Sequence, residues 1–179
     1  MVEFVSPLSG DPLRQEGDFL VSEKNECFPI IKDIPRFVDS DKYAASFGLQ
    51  WKLHVRTQLD SYIGTNISRE RLERCLGMPL IKLQGKSVLE AGSGAGRFTE
   101  LLVAAGAFVH TIDLSIAVEV NKENIGEHVN YLIAQADLLA PPFPHEAFDL
   151  VLCLGVLQHL PSPEEGIRSQ FCPICNRLI

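Results

Sequence analysis

Val88-Leu89-Glu90-Ala91 runs straight into Gly92-Ser93-Gly94-Ala95-Gly96-Arg97, and no other stretch restricts the fold as much. Four residues of strand character meet three glycines at alternate positions. Phe98, Leu101, Leu102 and Ala105 follow at i, i+3, i+4 and i+7, the period of an amphipathic helix. Strand, glycine loop and helix open a nucleotide-binding βαβ unit. Glycine suits the loop because, without a Cβ, the backbone turns sharply and a ligand comes within contact distance. The dinucleotide fingerprint G-x-G-x-x-G is not met: Arg97 stands where its third glycine belongs, and Gly96 comes one residue early. A bare strand-to-helix turn is the other reading of the loop alone.

The next segments narrow the choice. Phe108 to Ile112 reads as a second strand ending on Asp113. A carboxylate there lies beside the glycine loop in a parallel sheet and can accept from a ribose diol. Asp113 could otherwise cap the following helix, a role for which Ser115 is as good a candidate. Residues 129–134 read as a third strand, followed by Asp137, and 148–154 as a fourth. Continuous apolar runs of this kind suit strands buried on both faces of a parallel sheet. The expected fold is α/β: a Rossmann-like doubly wound parallel sheet of about four strands, with a small β-rich N-terminal segment.

E-A-G-S-G-A-G-R, T-I-D-L-S, A-D-L-L-A-P-P-F-P and F-D-L-V-L-C-L-G-V-L-Q-H-L, in this order over residues 85–169, resemble the class I S-adenosylmethionine-dependent methyltransferases. The resemblance implies S-adenosyl-L-methionine as cofactor and gives residues roles. Glu90, Ala91 and the backbone of Gly92, Ser93, Gly94 and Gly96 would surround the methionine moiety. Asp113 would hold the ribose and Leu114 pack on the adenine. Asp137 would accept from the adenine amino group, and the Leu138 N–H would meet a ring nitrogen. Carbonyls near Leu154 and Gly155 would face the methionine ammonium. A sulfonium donor is reactive without help, so alignment of the acceptor carries most of the catalysis, about 7–11 kcal/mol in favourable cases. His159, just past the fourth strand, is the candidate general base for an O- or N-acceptor, its alternative being a surface histidine. Cys153, mid-strand, reads as a core thiol.

Composition sets further bounds. The chain has 179 residues and a net charge of −7, so no global basic field draws it to nucleic acid or an anionic membrane. Arg69, Arg71 and Arg74 alternate with Glu70 and Glu73 and read as a solvated helix face. No apolar run approaches the roughly 20 residues of a membrane span, and the N-terminus lacks signal-peptide character. Five cysteines, an odd count without a secretory signal, point to a reducing cytoplasm.

Three segments are expected: a loop-rich β unit over 1–40, a helical lead-in over 41–84, and the cofactor-binding domain over 85–179. Phe28 to Val38 resembles the end of a zinc-ribbon-like segment that precedes many methyltransferase domains. Ser6-Pro7-Leu8-Ser9 replaces its first cysteine pair and only Cys27 remains of the second, too few ligands for a structural zinc. No metal is expected. A helix is expected over 43–66, with Trp51, Val55, Leu59 and Tyr62 in one stripe, and by family analogy Trp51 or Tyr62 could reach the site. A second runs from Ser68 to Gly77, and Ser162-Pro163-Glu164-Glu165 forms a capping box for a third.

The family's sheet has seven strands, and only four are found. The fourth would then be a long apolar edge. Residues 170–174 could pair with it as a short fifth strand, a partner chain could cover it, or the chain is a shortened form that folds poorly; a C-terminally truncated methyltransferase is expected. Cys172-Pro173-Ile174-Cys175 has the spacing of half a zinc knuckle without its other half. The expected activity is therefore methyl transfer to an unidentified acceptor, a small molecule in the first instance. The alternative is a non-catalytic S-adenosylmethionine-binding module. A nicotinamide oxidoreductase is a third reading, disfavoured by Arg97.

Overall fold

The computed structural model describes residues 2–38 and 56–159, together with Glu164, Ile174 and Ile179. Trp51, Val55, Cys172, Cys175 and most of the expected helix after Ser162 lie outside the described residues. Four short strands come first: β1 (Leu13–Glu16), β2 (Phe19–Ser22), β3 (Cys27–Ile31) and β4 (Ile34–Pro35). They pair antiparallel in chain order. The β3–β4 turn is two residues long, and both Lys32 and Asp33 take φ of +55°. Positive φ at both positions matches the right-handed twist of the flanking strands.

This unit is a meander, and the zinc-ribbon resemblance finds no support in it. Cys27 is exposed, and among the described residues no group of His, Cys, Asp and Glu is arranged to hold a metal. Serine hydroxyls organise the turn instead. Ser6 Oγ accepts the N–H groups of Leu8 and Ser9 at 3.1 and 3.3 Å, and Ser9 Oγ donates to Glu26 at 2.7 Å.

Within the lead-in, α1 is short (Asp60–Ile63) and Gly64, with φ of +69°, ends it. The expected helix over 43–66 is thus confined, in its described part, to one turn. Tyr62 is 65% exposed, so the Leu59–Tyr62 stripe breaks there. The second helix, α2 (Ile67–Leu76), stands where expected and stops at Gly77. Asp60 carries its N-terminus: the carboxylate accepts the N–H groups of Ser68 and Arg69 at 3.0 and 2.9 Å. Those are orphan donors of the first turn.

The second sheet is parallel: β5 (Ser87–Ala91), β6 (Phe108–Asp113), β7 (Tyr131–Gln135) and β8 (Leu150–Leu152), in spatial order β7-β6-β5-β8. Helices α3 (Thr99–Ala104) and α4 (Ala117–Ile125) make the crossovers. Alternation along the strands divides the core between two faces. Val88, Val109, Leu150 and Leu152 pack with Leu72, Leu76 and Leu102. Leu89, Ile112, Ala134 and Val151 pack with Phe143 and Phe148. Two strands are shorter than expected. Residues 129 and 130 form a turn, with Tyr131 N–H donating to the His128 carbonyl at 3.2 Å. Beyond Leu152 the chain leaves the ladder and reaches Gly155 at φ of +78°.

Both outer edges of the sheet are paired from within the chain. On β7, Arg36 bridges Gln135, and Phe37 N–H donates to the Gln135 carbonyl at 2.8 Å. On β8, Ile179 N–H donates to the Val151 carbonyl at 2.9 Å, and its own carbonyl accepts from Cys153 at 2.8 Å. Phe148 N–H donates to Ile174 at 3.1 Å. The apolar β8 edge is therefore partly satisfied by two isoleucines of the tail. Among the described residues no helix is long and apolar enough to cross a membrane.

The N-terminal segment also covers one face. Phe4 and Phe37 lie 5.4 Å apart, and Phe4 meets Phe143 at 5.5 Å. His110 is buried beneath them, its Nε2 3.0 Å from the Val2 carbonyl. Burial pushes this imidazole down from 6.5 to about 4. The unfolded chain thus binds more protons than the fold between those values, and stability drops as pH falls through the window. Relative to His110→Leu, the wild-type chain is expected to lose thermal midpoint as pH falls from 6.5 to 4.

Candidate active site

The glycine loop begins where β5 ends. Gly92 takes φ of +81°, and its N–H donates to the Ile112 carbonyl at 2.7 Å. A Cβ on Gly92 would sit 2.3 Å from Val156 Cγ2, so the loop lies flush against the chain leaving β8. Gly94 N–H donates to Asp113 Oδ2 at 2.9 Å. Gly96 does another job: at φ of +97°, its missing Cβ leaves room for Asn121 and Ile125 of α4, 3.1 and 3.2 Å away.

Parallel register carries the acidic tips of β6 and β7 to this loop. Asp113 Oδ1 accepts both the N–H and the hydroxyl of Ser115, at 2.8 and 2.7 Å. Ser115 Oγ in turn accepts from Ala117 N–H at 3.1 Å. The two roles weighed for Asp113 and Ser115 are thus divided, the serine serving the helix and the aspartate holding serine and loop. A carboxylate has about four acceptor positions, and three on Asp113 are taken. One further donor can be accepted as the site stands, and a second requires the Ser115 hydroxyl to turn away. Asp137 Oδ1 accepts from Leu139 N–H at 2.8 Å. Its other oxygen makes no protein hydrogen bond among the described residues.

Glu90 forms the buried floor. Its Oε2 accepts the Thr99 hydroxyl at 2.6 Å. Thr99 accepts from Asn121 Nδ2 at 3.1 Å, and Asn121 Oδ1 accepts the Tyr131 hydroxyl at 2.9 Å. Burial pushes the Glu90 carboxyl up to about 8, with the Asp113 charge adding to the rise and the Thr99 hydrogen bond opposing it. Ser93 Oγ is also buried, with no hydrogen-bond partner among the described residues. A buried hydroxyl without a partner is costly, and a ligand in this hollow would supply one.

These groups line one cavity of about 350 Å³. Of the sequence-derived candidates, Glu90, Gly92, Ser93, Gly94, Asp113, Leu114, Asp137, Leu138, Leu154, Gly155 and His159 line it. Ala91 and Gly96 do not: Ala91 is buried in the core, and Gly96 faces α4. Tyr62 is absent from the wall as well. His159 lies exposed at the rim in a 3₁₀ turn (Leu157–His159). Cys153 is a core thiol, its pKa pushed up to about 12 by burial.

Sequence reading missed Gln58, Arg71, Ala95, Arg97, Phe98, Ser115 and Val156 as wall residues. Arg97 donates to Ser68 Oγ at 2.9 Å, and its guanidinium lies 5.3 Å from the centre of the Phe98 ring. Arg71 lies 6.0 Å from the same ring, so the helix face read as merely solvated contributes a cation to the mouth. A larger open cleft, about 1050 Å³, lies between the N-terminal sheet and β7 and holds none of the glycine-loop residues.

A glycine loop at a strand's C-terminal end, flanked by carboxylates on the next two strands, defines a nucleotide-binding α/β domain. Comparison with known proteins makes this specific. Residues 89–170 match the family described as methyltransferase domain. That match covers a little under half of the chain, and the parallel sheet has the class I fold seen in S-adenosylmethionine-dependent methyltransferases. It is 37% identical to the ubiquinone biosynthesis O-methyltransferase of Pseudomonas fluorescens (strain Pf0-1) over 95 residues, 51% of this chain and 40% of that protein. Identity to the Pseudomonas putida (strain F1) protein of the same name is 35% over 103 residues, 55% of this chain and 42% of the other. The match thus spans about two fifths of these curated relatives. A TehB-like SAM-dependent methyltransferase from Corynebacterium glutamicum has the same fold, with a TM-score of 0.55 at 22% identity over 73% of this chain and 67% of the other.

Proposed function

We propose that this chain binds S-adenosylmethionine in the glycine-loop cavity and directs its methyl group to an oxygen nucleophile of a small-molecule acceptor. One observation carries the reading: the glycine loop, Asp113, Asp137 and the unpartnered Ser93 hydroxyl surround a single hollow. The oxygen acceptor is suggested by the names of the relatives. When bound, the cofactor supplies an activated methyl group on a sulfonium centre.

The chain's own groups then have separable tasks. Asp113 takes a ribose hydroxyl, while Leu114 forms an apolar wall for the base. Asp137 offers its open oxygen to an exocyclic amine, and Leu138 offers its N–H. Glu90, with the carbonyls of Leu154 and Gly155, supplies negative potential at the cationic end. His159, at the rim, would take the proton of an acceptor hydroxyl. Proximity and alignment do the remaining work, because a methyl transfer needs the acceptor lone pair in line with the breaking bond. The unpaired thiols of Cys27, Cys75 and Cys153 support assignment to a reducing cytoplasm.

Isothermal titration tests the reading. S-adenosylhomocysteine is expected to bind with one site per chain, and NAD is expected not to bind. Binding of NAD alone would overturn the assignment. Saturable S-adenosylhomocysteine binding, with no methyl transfer to any of a panel of small hydroxylated acceptors, would leave a cofactor-binding module and sink the catalytic part.

A further inference from the structure

We infer that the N-terminal sheet positions the wall of the donor cavity through a side-chain relay from Arg36 through Gln135 to Leu114. The inference rests on the reading that Leu114 borders the bound donor.

Arg36 is 6% exposed and follows β4 directly. Its guanidinium donates to Gln135 Oε1 at 3.0 Å, to Glu119 Oε1 at 3.0 Å and to the Ile31 carbonyl at 3.3 Å. Gln135, 7% exposed, ends β7 beside Asp113 in register. Its Nε2 donates to the Leu114 carbonyl at 2.9 Å. Leu114 stands between Asp113 and Ser115, and all three line the cavity.

Chemistry gives the relay a direction. Arginine has five N–H donors and no acceptor. Facing Arg36, the Gln135 amide can present only its oxygen, so its NH₂ is committed to the Leu114 carbonyl. Without Arg36, the Gln135 oxygen loses its buried donor and the amide is held at its Leu114 end alone. The guanidinium thus anchors the far end of the amide that ties down the cavity wall.

The neighbouring contacts hold Arg36 in place. Lys32 and Arg36 both pair with Glu119 of α4, at 2.6 and 3.0 Å. Lys122 donates to the carbonyls of Lys32 and Asp33 at 3.1 and 3.2 Å and pairs with the Asp33 carboxylate at 3.4 Å. The positive-φ turn is therefore stapled to the helix that starts just after Ser115. A purely structural dock would not need the second link, from Gln135 to the cavity wall.

Gln135→Glu separates docking from positioning. Glutamate keeps an acceptor for Arg36, now charge-assisted, and loses the N–H for Leu114. Gln135→Glu is expected to retain the wild-type thermal midpoint and bind S-adenosylhomocysteine about tenfold more weakly. Arg36→Met is expected to weaken binding to a similar degree, and Arg36→Lys, which keeps a donor, to restore most of it. A folded Gln135→Glu variant with wild-type affinity would overturn the relay. If Gln135→Glu does not fold, equal affinity of Arg36→Met and Arg36→Lys would do the same. Failure of the wild-type chain to bind S-adenosylhomocysteine would instead remove the donor reading on which the relay rests.

Discussion

Gly92→Ala is expected to destabilise the fold by about 2–5 kcal/mol and to abolish measurable S-adenosylhomocysteine binding. Two costs combine. A side chain at φ of +81° occupies the left-handed region, at about 1–2 kcal/mol. The new Cβ would also lie 2.3 Å from Val156 Cγ2, and overpacking of this kind costs about 1–3 kcal/mol. Val156 is β-branched and has little rotamer freedom, so either the loop or the chain after β8 must move, and both line the cavity. Denaturant unfolding reads the first effect and titration the second. Adding Val156→Ala to the variant should recover the overpacking part and leave the backbone part. A single Gly92→Ala variant with wild-type stability and affinity would show that the loop does not need this conformation.

Alkaline conditions should weaken the ligand-free protein through Glu90. Its carboxyl stands at about 8 in the fold against an ordinary 4.5. Between those values the folded state binds more protons than the unfolded one, so stability falls as pH rises through the window. Ionising a group this deeply buried costs on the order of a few kcal/mol. Below pH 6.5 the buried His110 opposes this slope, so thermal midpoints of the free chain are expected to fall from pH 6.5 to 8, and Glu90→Gln, which keeps an acceptor for Thr99, should flatten the slope. The ammonium end of a bound ligand, set beside Glu90, reverses the balance by favouring the carboxylate. Binding of S-adenosylhomocysteine near pH 7 should therefore release protons, visible as a dependence of the titration heat on buffer ionisation enthalpy. An unchanged slope in Glu90→Gln would assign the alkaline loss to other groups.

Both predictions concern residues that were legible in the chain, and the reason is local. Strand, glycine loop and helix are contiguous, so their periodicity and the glycine spacing suffice to place Glu90, Gly92 and Gly94. Asp113 and Asp137 were legible because parallel strands stack their C-terminal ends, which turns an order along the chain into neighbours in space. Gly96 shows the limit of spacing. It belongs to the glycine pattern, yet its missing Cβ serves the close approach of α4. Arg71 shows a second limit. Its alternating charges described a helix face, but only packing of α2 beside Phe98 puts that face at a cavity mouth.

The N-terminal segment was the least legible. Its prolines and glycines announced short strands and turns, and its remaining cysteine suggested a degraded metal site. Neither signal reveals that Arg36 would be buried against β7, or that His110 would be sealed beneath Phe143 and the Val2 carbonyl. The side-chain partners of Arg36, Glu119 and Gln135, lie 83 and 99 residues away along the chain. The β8 edge is similar: its pairing with Ile174 and Ile179 depends on how the tail returns to the sheet.

By itself, the sequence determined the parallel α/β core, the glycine loop and the acidic strand tips, because each is set by short-range periodicity or by strand order. Only the tertiary structure decided which groups share the cavity, how Asp113 divides its acceptors, and that an arginine outside the domain orients an amide beside it. Those outcomes depend on contacts between distant segments, where burial and hydrogen-bond geometry, not local propensity, select the arrangement.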